Sequence, residues 1–374
     1  MRFPDIPILL LDIQATAAAA SGGTLLEVGW QPYPAASPEA GRCTWLVQHT
    51  ALDLPPHLAR LTGLSAVDLC EGLPAKEIWQ RLQVDAKATA LAAGAGASPG
   101  VCPVVVHYGR FEGPFVDQLR ILAGSPTDIA LNLICTHEIA RRLLPGLPRK
   151  GLRAVAGYFG HDTPPQRRCA PHLRATGAIW TGLAEQLCNR HGVSRMIDLE
   201  NWLKATPVPS RGDTQRHFQI PKAIRSGLPH RPGVYRYLSR KGNPLYVGKA
   251  KDLRQRVGTY FQPSRRHPGH ILEMLSRAAE LKISPTRTTL EAALLEQDLI
   301  KRLAPPYNLA LQPENGALVY GSKDFGTFSP HWEPRHPLGP LPGGTATAIL
   351  AELVNTMKST WAGAGEAKVR PELA

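Results

Sequence analysis

The chain has 374 residues, of which 43% are hydrophobic and 20% are charged. This composition can fill the cores of two ordinary domains and excludes wholesale disorder. Lys and Arg outnumber Asp and Glu by 43 to 30, a formal net charge of +13, which favours a polyanionic partner, nucleic acid before an anionic membrane. No apolar run approaches the roughly 20 residues of a membrane span, so we expect no membrane partner.

The N-terminal apolar run at residues 7–11 is interrupted by Asp12 and is too short for a signal peptide. The six cysteines form no CxxC pair, so we expect reduced thiols instead of a zinc site or a disulfide framework. These features predict a cytoplasmic, nucleoid-associated protein, and we favour a monomer.

The first half of the chain alternates short apolar runs with longer amphipathic stretches. Strands are predicted at residues 8–13, 24–30, 44–49, 101–107 and 130–136, and a flexible Gly/Ala/Ser/Pro loop at 94–100. Helices are predicted at 77–93, 137–144, 152–159, 172–191 and 196–205. Three strands followed by alternating helices and strands predict an α/β domain with a mixed sheet over residues 1–206.

The second half begins after a Pro- and Gly-containing segment without apolar period, which predicts a linker over residues 207–228. A hairpin is predicted from strands 233–237 and 244–247 and a polar turn at Gly242-Asn243. Helices are predicted at 253–260, 269–281 and 290–303, which makes residues 229–312 a small α+β domain. Residues 313–374 are a Gly/Pro-rich extension with one predicted helix at 345–357.

Most of the positive charge lies in this second half. Residues 218–310 hold about 17 Lys and Arg against about 6 Asp and Glu, so we expect the principal nucleic-acid contact there. The same stretch carries two tyrosine motifs eleven residues apart, Pro232-Gly233-Val234-Tyr235 and Leu245-Tyr246-Val247-Gly248-Lys249.

Two further blocks follow these motifs in order, a basic run at residues 249–257 and a distal block from Glu291 to Asn308 that contains Glu296. Together the four segments resemble the GIY-YIG nucleases of the UvrC/Cho subclass, the incision endonucleases of bacterial nucleotide excision repair. The resemblance covers about 85 residues. It implies an endonuclease that nicks one DNA strand, with a UvrB-like repair helicase as a possible partner.

The residue chemistry fits this resemblance. Tyr235 and Tyr246 lie on adjacent predicted strands, and Lys249 is expected in the turn after the second strand, where its ammonium would lower the pKa of a phenol. We therefore expect Tyr235 to be the general base, with Tyr246 as its helper. Arg256, seven residues after Lys249 and expected on the same helix face, suits the scissile phosphate, and Tyr260 follows on that face.

A divalent cation and one polar residue complete the predicted site. Glu296 is the expected ligand of Mg²⁺ or Mn²⁺, because one carboxylate with waters and phosphate oxygens is an ordinary site for Mg²⁺. Asn308 is expected to orient a neighbour or the phosphate. Taken singly, each of these residues also has a structural interpretation, as a packed tyrosine, a solvated cation or a cap, and we assign Glu291 to such a role.

Segments of the first half resemble DEDDh exonucleases of the polymerase proofreading type. They include Leu10-Leu11-Asp12-Ile13-Gln14 and a second motif in which Val106-His107 precede Phe111-Glu112. The resemblance implies an RNase H-like fold and a site with two metals, four carboxylates and a histidine. In this chain Gln14 replaces a carboxylate, Glu112 stands for an aspartate, Arg167 replaces the histidine and His172 replaces the last aspartate.

Because Asp12 alone is retained unchanged, we expect this half to be a pseudo-exonuclease used for docking. One alternative is a register in which His161-Asp162 supply substitute ligands. For the whole chain, the alternatives are a non-catalytic DNA-binding adaptor and an active 3′–5′ exonuclease with altered ligands.

Overall fold

The computed structural model describes residues 2–34, 44–52, 54–125, 127, 129–205, 218–262, 267–308, 318–329, 331–342, 352–354 and 356. Packing divides the chain into two units. The first unit comprises Met1–Pro221 together with Leu238–Asn243 and Gln262–Glu280, and the second unit comprises Lys222–Tyr237, Pro244–Phe261 and Leu281–Ala374. The predicted domain boundaries remain predictions, and residues 207–217 of the predicted linker lie outside the described residues.

The first unit is built on a five-stranded mixed sheet. Its strands are β1 (Ile8–Ala15), β2 (Leu25–Tyr33), β3 (Thr44–Leu46), β4 (Val101–Val106) and β5 (Ala130–Cys135). The strand order is β3-β2-β1-β4-β5; β2 runs antiparallel to β1 and β3, whereas β4 runs parallel to β1 and β5. The predicted α/β class with a mixed sheet is therefore confirmed.

Helices cover both faces of this sheet. In chain order they are α1 (Pro56–Thr62), α2 (Ala66–Cys70), α3 (Ala75–Ala93), α4 (Gly109–Ala123), α5 (Thr136–Leu143), α6 (Leu152–Tyr158), α7 (Cys169–His191) and α8 (Met196–Lys204). Alternate residues of β1 point to opposite faces. Leu9 packs in a cluster that includes Trp79 of α3, whereas Leu10 packs in one that includes Trp180 of α7.

The second half of the chain continues with helices and a second sheet. In chain order its elements are α9 (Lys222–Ser226), β6 (Gly233–Leu238), β7 (Pro244–Ala250), α10 (Leu253–Tyr260), α11 (Gly269–Arg277), β8 (Glu280–Pro285) and α12 (Thr289–Leu303). The sheet order is β7-β6-β8. Helix α12 packs on this sheet through a core that joins Ala292 and Ile300 to Val234 and Val247.

The predicted hairpin is present, and Gly242 in its turn has a φ of +82°, a conformation that favours glycine. The predicted helix at 269–281 is too long, because α11 ends at Arg277 and the chain then enters β8, whose residues alternate in burial. Helices α1, α2, α4 and α9 were not predicted, and α9 lies within the segment predicted as a linker.

A third sheet lies in the region predicted as a Gly/Pro-rich extension. It consists of β9 (Leu318–Gly321), β10 (Phe328–Ser329) and β11 (Leu338–Pro342), in the order β10-β9-β11. Of the predicted helix at 345–357, only residues 352–354 and 356 are described, and they are helical. Among the helices of the described residues, none has the length and apolarity needed to cross a membrane.

Candidate active site

Four tyrosines cluster in the second unit. Tyr235 and Tyr237 lie two residues apart on β6, Tyr246 lies on β7 and Tyr260 lies at the end of α10. The hydroxyl oxygens of Tyr235 and Tyr260 are 3.0 Å apart, and the rings of Tyr235 and Tyr246 have centroids 6.1 Å apart. The structure therefore brings together the three tyrosines that the sequence selected. Tyr237 was missed, although the two-residue period of a strand places it on the same face as Tyr235.

Gly248 makes the close packing of this cluster possible. A Cβ atom at this position would lie 2.5 Å from the hydroxyl oxygen of Tyr235 and 2.9 Å from the ring of Tyr246. Any side chain would displace a phenol, so the glycine of the second tyrosine motif is a positioning residue. Its place in the second tyrosine motif, directly before Lys249, was the signal that could have identified it.

Burial raises the pKa of all four phenols. The pKa of Tyr235 is raised to about 12, first by burial and then by Tyr246, while Arg256 acts in the opposite direction. The pKa values of Tyr237, Tyr246 and Tyr260 are also raised by burial. The expectation that Lys249 lowers the pKa of a phenol is wrong, because the cation that favours ionisation of Tyr235 is Arg256.

Lys249 instead contacts Glu296. It lies within β7 and not in a turn, so the expectation that Lys249 and Arg256 share a helix face is also wrong. The backbone N–H of Lys249 donates to Oε1 of Glu296 at 2.9 Å, and its Nζ lies 3.1 Å from Oε2. These two contacts fix the carboxylate of Glu296, which projects from α12 and is 8% exposed.

Asn308 holds the same strand in place. Its side-chain oxygen accepts from the backbone N–H of Val247 at 2.9 Å, and its amide nitrogen donates to the Val247 carbonyl at 2.7 Å. The oxygen and the nitrogen of this buried amide are therefore both hydrogen-bonded to the backbone of the residue between Tyr246 and Gly248. In this structure Asn308 orients a neighbour, which was one of its two expected roles.

Arg256 is the exposed cation beside the phenols. It lies on α10, which begins at a cap where Asp252 accepts from the backbone N–H of Gln255 at 2.8 Å. The guanidinium carbon of Arg256 is 5.5 Å from the ring centroid of Tyr260. An exposed guanidinium next to a tyrosine cluster can bind a phosphate that approaches from solvent.

The donor set fits a lightly coordinated hard cation. Within the described part of the chain, no group of three or more His, Cys, Asp or Glu residues could hold a metal ion. Glu296 offers a fixed carboxylate, and Mg²⁺ is commonly bound through one or two carboxylates while it keeps several waters. Glu291 is used as a cap, because its carboxylate accepts from the backbone N–H of Arg287 at 2.9 Å, as its structural assignment predicted.

The first unit contains a separate cavity of about 440 Å³. It is lined by all five residues that the exonuclease resemblance selected, Asp12, Gln14, Glu112, Arg167 and His172. Asp12 and Gln14 project from β1 and Glu112 from α4. Helix α7, which carries His172, is held against the sheet by Glu27, whose carboxylate accepts from the Cys169 backbone at 2.9 Å. Asp162 of the alternative register does not line this cavity; it pairs with Arg277 at 3.0 Å.

Side chains other than carboxylates contact both oxygens of Asp12. The Gln14 amide donates to Oδ2 of Asp12 at 2.6 Å, and Nδ1 of His172 lies 3.2 Å from Oδ1. Burial and the charge of Asp12 raise the pKa of Glu112 well above its usual range, so this carboxyl favours the protonated form. Both carboxylate oxygens of Asp12 are therefore bound by side chains of the protein.

Comparison with known proteins identifies relatives of both halves. Residues 231–309 match the family described as UvrC-like GIY-YIG domain. UvrABC system protein C of Alkalilimnicola ehrlichii is 37% identical over 163 residues, which cover 42% of this chain and 25% of that protein. A Mycobacterium tuberculosis protein described as a bifunctional exonuclease/endonuclease is 30% identical over 260 residues, covering 68% of this chain and 36% of that protein.

A solved structure matches the second half as well. The GIY-YIG N-terminal endonuclease domain of UvrC from Thermotoga maritima, bound to magnesium, is 33% identical and has a TM-score of 0.22. The match covers 24% of this chain and 99% of that domain. The chain thus spans about a quarter to about a third of the length of the two full-length relatives named above.

Proposed function

We propose that residues 231–309, which match the UvrC-like GIY-YIG domain, make the protein a divalent-metal DNA endonuclease that nicks one strand. The observation that carries the proposal is the assembly of Tyr235, Arg256 and Glu296 around one tyrosine cluster in the second unit. Hydrolysis of a phosphodiester requires a base for water, a cation for the developing charge and a fixed geometry. Tyr235 is the base and Arg256 is the cation, and they lie on a strand and a helix.

Each residue then has a defined task. Tyr235 acts in its ionised form: its phenolate oxygen accepts a proton from the attacking water and becomes the neutral hydroxyl, and Tyr260, 3.0 Å away, orients that oxygen. Arg256 binds the scissile phosphate and favours the ionised form of Tyr235. Glu296, fixed by Lys249, would hold a Mg²⁺ or Mn²⁺ ion, and that ion would supply stabilisation of charge on the phosphate oxygens.

The assay that tests this function uses a supercoiled plasmid and a 5′-labelled single strand side by side. An endonuclease converts the plasmid to nicked circles when Mg²⁺ is added. A non-catalytic adaptor binds both substrates without cleaving either, and a 3′–5′ exonuclease yields a ladder from the labelled strand. A ladder without nicked circles would contradict the proposal.

Arg256→Ala should slow nicking by about 10²- to 10³-fold, because the variant loses a cation aimed at the transition-state charge. Initial rates on supercoiled plasmid measure this effect. The matched control is Arg254→Ala, which removes the same charge from an exposed position on the same helix. Equal losses in the two variants would show that Arg256 contributes only general attraction to DNA.

We further propose a role in nucleotide excision repair, with a UvrB-like helicase as partner. The support is the similarity to UvrABC system protein C, and the excess of cations in residues 218–310 suits DNA. Cleavage of a lesion-bearing duplex with and without UvrA and UvrB tests this role. Equal nicking of damaged and undamaged duplex under both conditions would oppose it.

For the first unit we propose a pseudo-exonuclease that docks without cleaving. Gln14 and His172 supply neither of the two anions that they replace. A pair of divalent cations needs anionic ligands to assemble.

The expected result is that the full chain with Glu296→Gln, which removes the endonuclease contribution, releases no ladder from a 5′-labelled strand in Mg²⁺ or Mn²⁺. Adding Gln14→Glu should not restore activity, because His172 and Arg167 still replace a ligand and the base. Gel analysis of the products measures this outcome. A ladder that disappears on further Asp12→Ala substitution would refute the pseudo-exonuclease.

A further inference from the structure

A second pocket of the first unit adjoins the cavity of Asp12 and shares Tyr108 with it. Its volume is about 470 Å³. Among the residues that line it are two aromatic side chains, Tyr108 and His137, and three cations, Arg141, Arg149 and Lys150. We call it the basic pocket. None of these five residues is among the site residues predicted from the tyrosine motifs or from the exonuclease resemblance.

The aromatic wall of the basic pocket is held in place before any ligand binds. The rings of Tyr108 and His137 stack with centroids 4.3 Å apart and planes 30° apart. Tyr108 has a φ of +72°, which a bulky residue rarely adopts, and its carbonyl accepts the backbone N–H groups of Phe111 and Glu112 at the start of α4. With 43% of Tyr108 exposed, ring surface remains accessible for stacking.

Cations are prominent in the lining of the basic pocket, which includes Arg141, Arg149 and Lys150. Burial lowers the pKa of His137, the nearby cations Arg141, Lys150 and Arg110 lower it further, and Glu138 acts in the opposite direction. Lys150 donates to backbone carbonyls at 2.9 and 3.0 Å, and its pKa is lowered by burial and then by Arg141. Bringing an anion into this pocket would relieve the repulsion between the cations.

We propose that the basic pocket binds single-stranded DNA, with Arg141, Arg149 and Lys150 on backbone phosphates and a base stacked on Tyr108. A positively charged groove combined with an aromatic ring is the usual arrangement for single strands, since an unpaired base exposes its face whereas a base inside a duplex does not. The choice of DNA rests on the proposed function of the second unit. The pocket gives the first unit a docking role that requires no metal.

The test measures binding of the full chain to a fluorescent oligothymidylate of 12 nucleotides in EDTA, by anisotropy across a range of salt concentrations. The double variant Arg141→Ala/Arg149→Ala should weaken binding at least tenfold. It should also make the slope of log K against log salt less negative by about 1.4, because each phosphate contact on a single strand contributes about −0.7.

Tyr108→Asn should weaken binding about tenfold and leave the salt slope unchanged, because it removes stacking without removing charge. Asn tolerates the left-handed backbone conformation of this position, so the variant should fold, and thermal unfolding checks that it does. Two variants with different salt signatures separate a built site from general electrostatic attraction.

The matched control is Lys76→Ala/Lys87→Ala, which removes two exposed cations from α3 in the same unit. It should bind the oligonucleotide with nearly wild-type affinity. Wild-type binding by the Arg141/Arg149 variant, or an equal loss in the control, would overturn the proposal. Glu296→Gln keeps the two proposals separate, because it removes no cation: loss of nicking with intact oligonucleotide binding supports both, whereas intact nicking counts only against the proposed function.

Discussion

Glu296→Gln should reduce Mg²⁺-dependent nicking by about a thousandfold while DNA binding stays close to that of the wild type. In the wild type the backbone N–H of Lys249 donates to Oε1 of Glu296 at 2.9 Å. The side-chain oxygen of glutamine can accept the same hydrogen bond, so the contact between β7 and α12 is kept. The substitution removes the anionic oxygen that a hard cation requires. Loss of a metal that stabilises transition-state charge by several kcal/mol corresponds to a rate effect of this size.

The matched control is Glu291→Gln on the same helix. Its carboxylate caps α12 through the backbone N–H of Arg287, so the control makes the same chemical change away from the tyrosine cluster and should nick at a nearly normal rate. Anisotropy in EDTA reports DNA binding for both variants. Normal nicking by Glu296→Gln together with an inactive Glu291→Gln would assign the metal ligand to Glu291.

Regular periodicity made much of the fold predictable. Strand β1 begins with an apolar run that ends before Asp12, and α7 is a long amphipathic stretch; both formed at the expected places. Helix α4 was missed because Gly109, Gly113 and Pro114 are poor helix formers. It forms nonetheless, because Phe115 and Leu119 are fully buried in the core beside the sheet, and tertiary packing outweighs weak local propensity.

The sequence predicted which residues lie in the two candidate sites better than it predicted the contacts that they make. Resemblance to known motifs selected Asp12, Arg167 and His172, which line one cavity although up to 160 residues separate them. No spacing rule predicts that Lys249 pairs with Glu296, 47 residues away. The position of Lys249 next to the second tyrosine motif suggested that its ammonium acts on a phenol. In the structure both its backbone N–H and its ammonium contact Glu296 instead.

Tyr235→Phe should lower the nicking rate by about 10²- to 10⁴-fold, the range associated with a positioned general base. The ring and its packing remain, and only the ionisable hydroxyl is lost. Because the pKa of Tyr235 is raised to about 12 by burial, the ionised phenol is a small fraction at neutral pH. As long as the pH is below the pKa, that fraction increases about tenfold for each unit by which the pH is raised. The wild-type rate should therefore rise steeply between pH 7 and 9.

The pH profile distinguishes a base from a packing residue, because Tyr235→Phe should lose the steep rise as well as the rate. Tyr237→Phe is the matched control: it lies on the same strand, and its buried hydroxyl has no hydrogen-bond partner among the described residues. It should keep both the rate and the profile. Tyr246→Phe, the proposed helper, should have a smaller effect than Tyr235→Phe. If Tyr246→Phe abolishes the rise and Tyr235→Phe does not, the two tyrosines exchange roles.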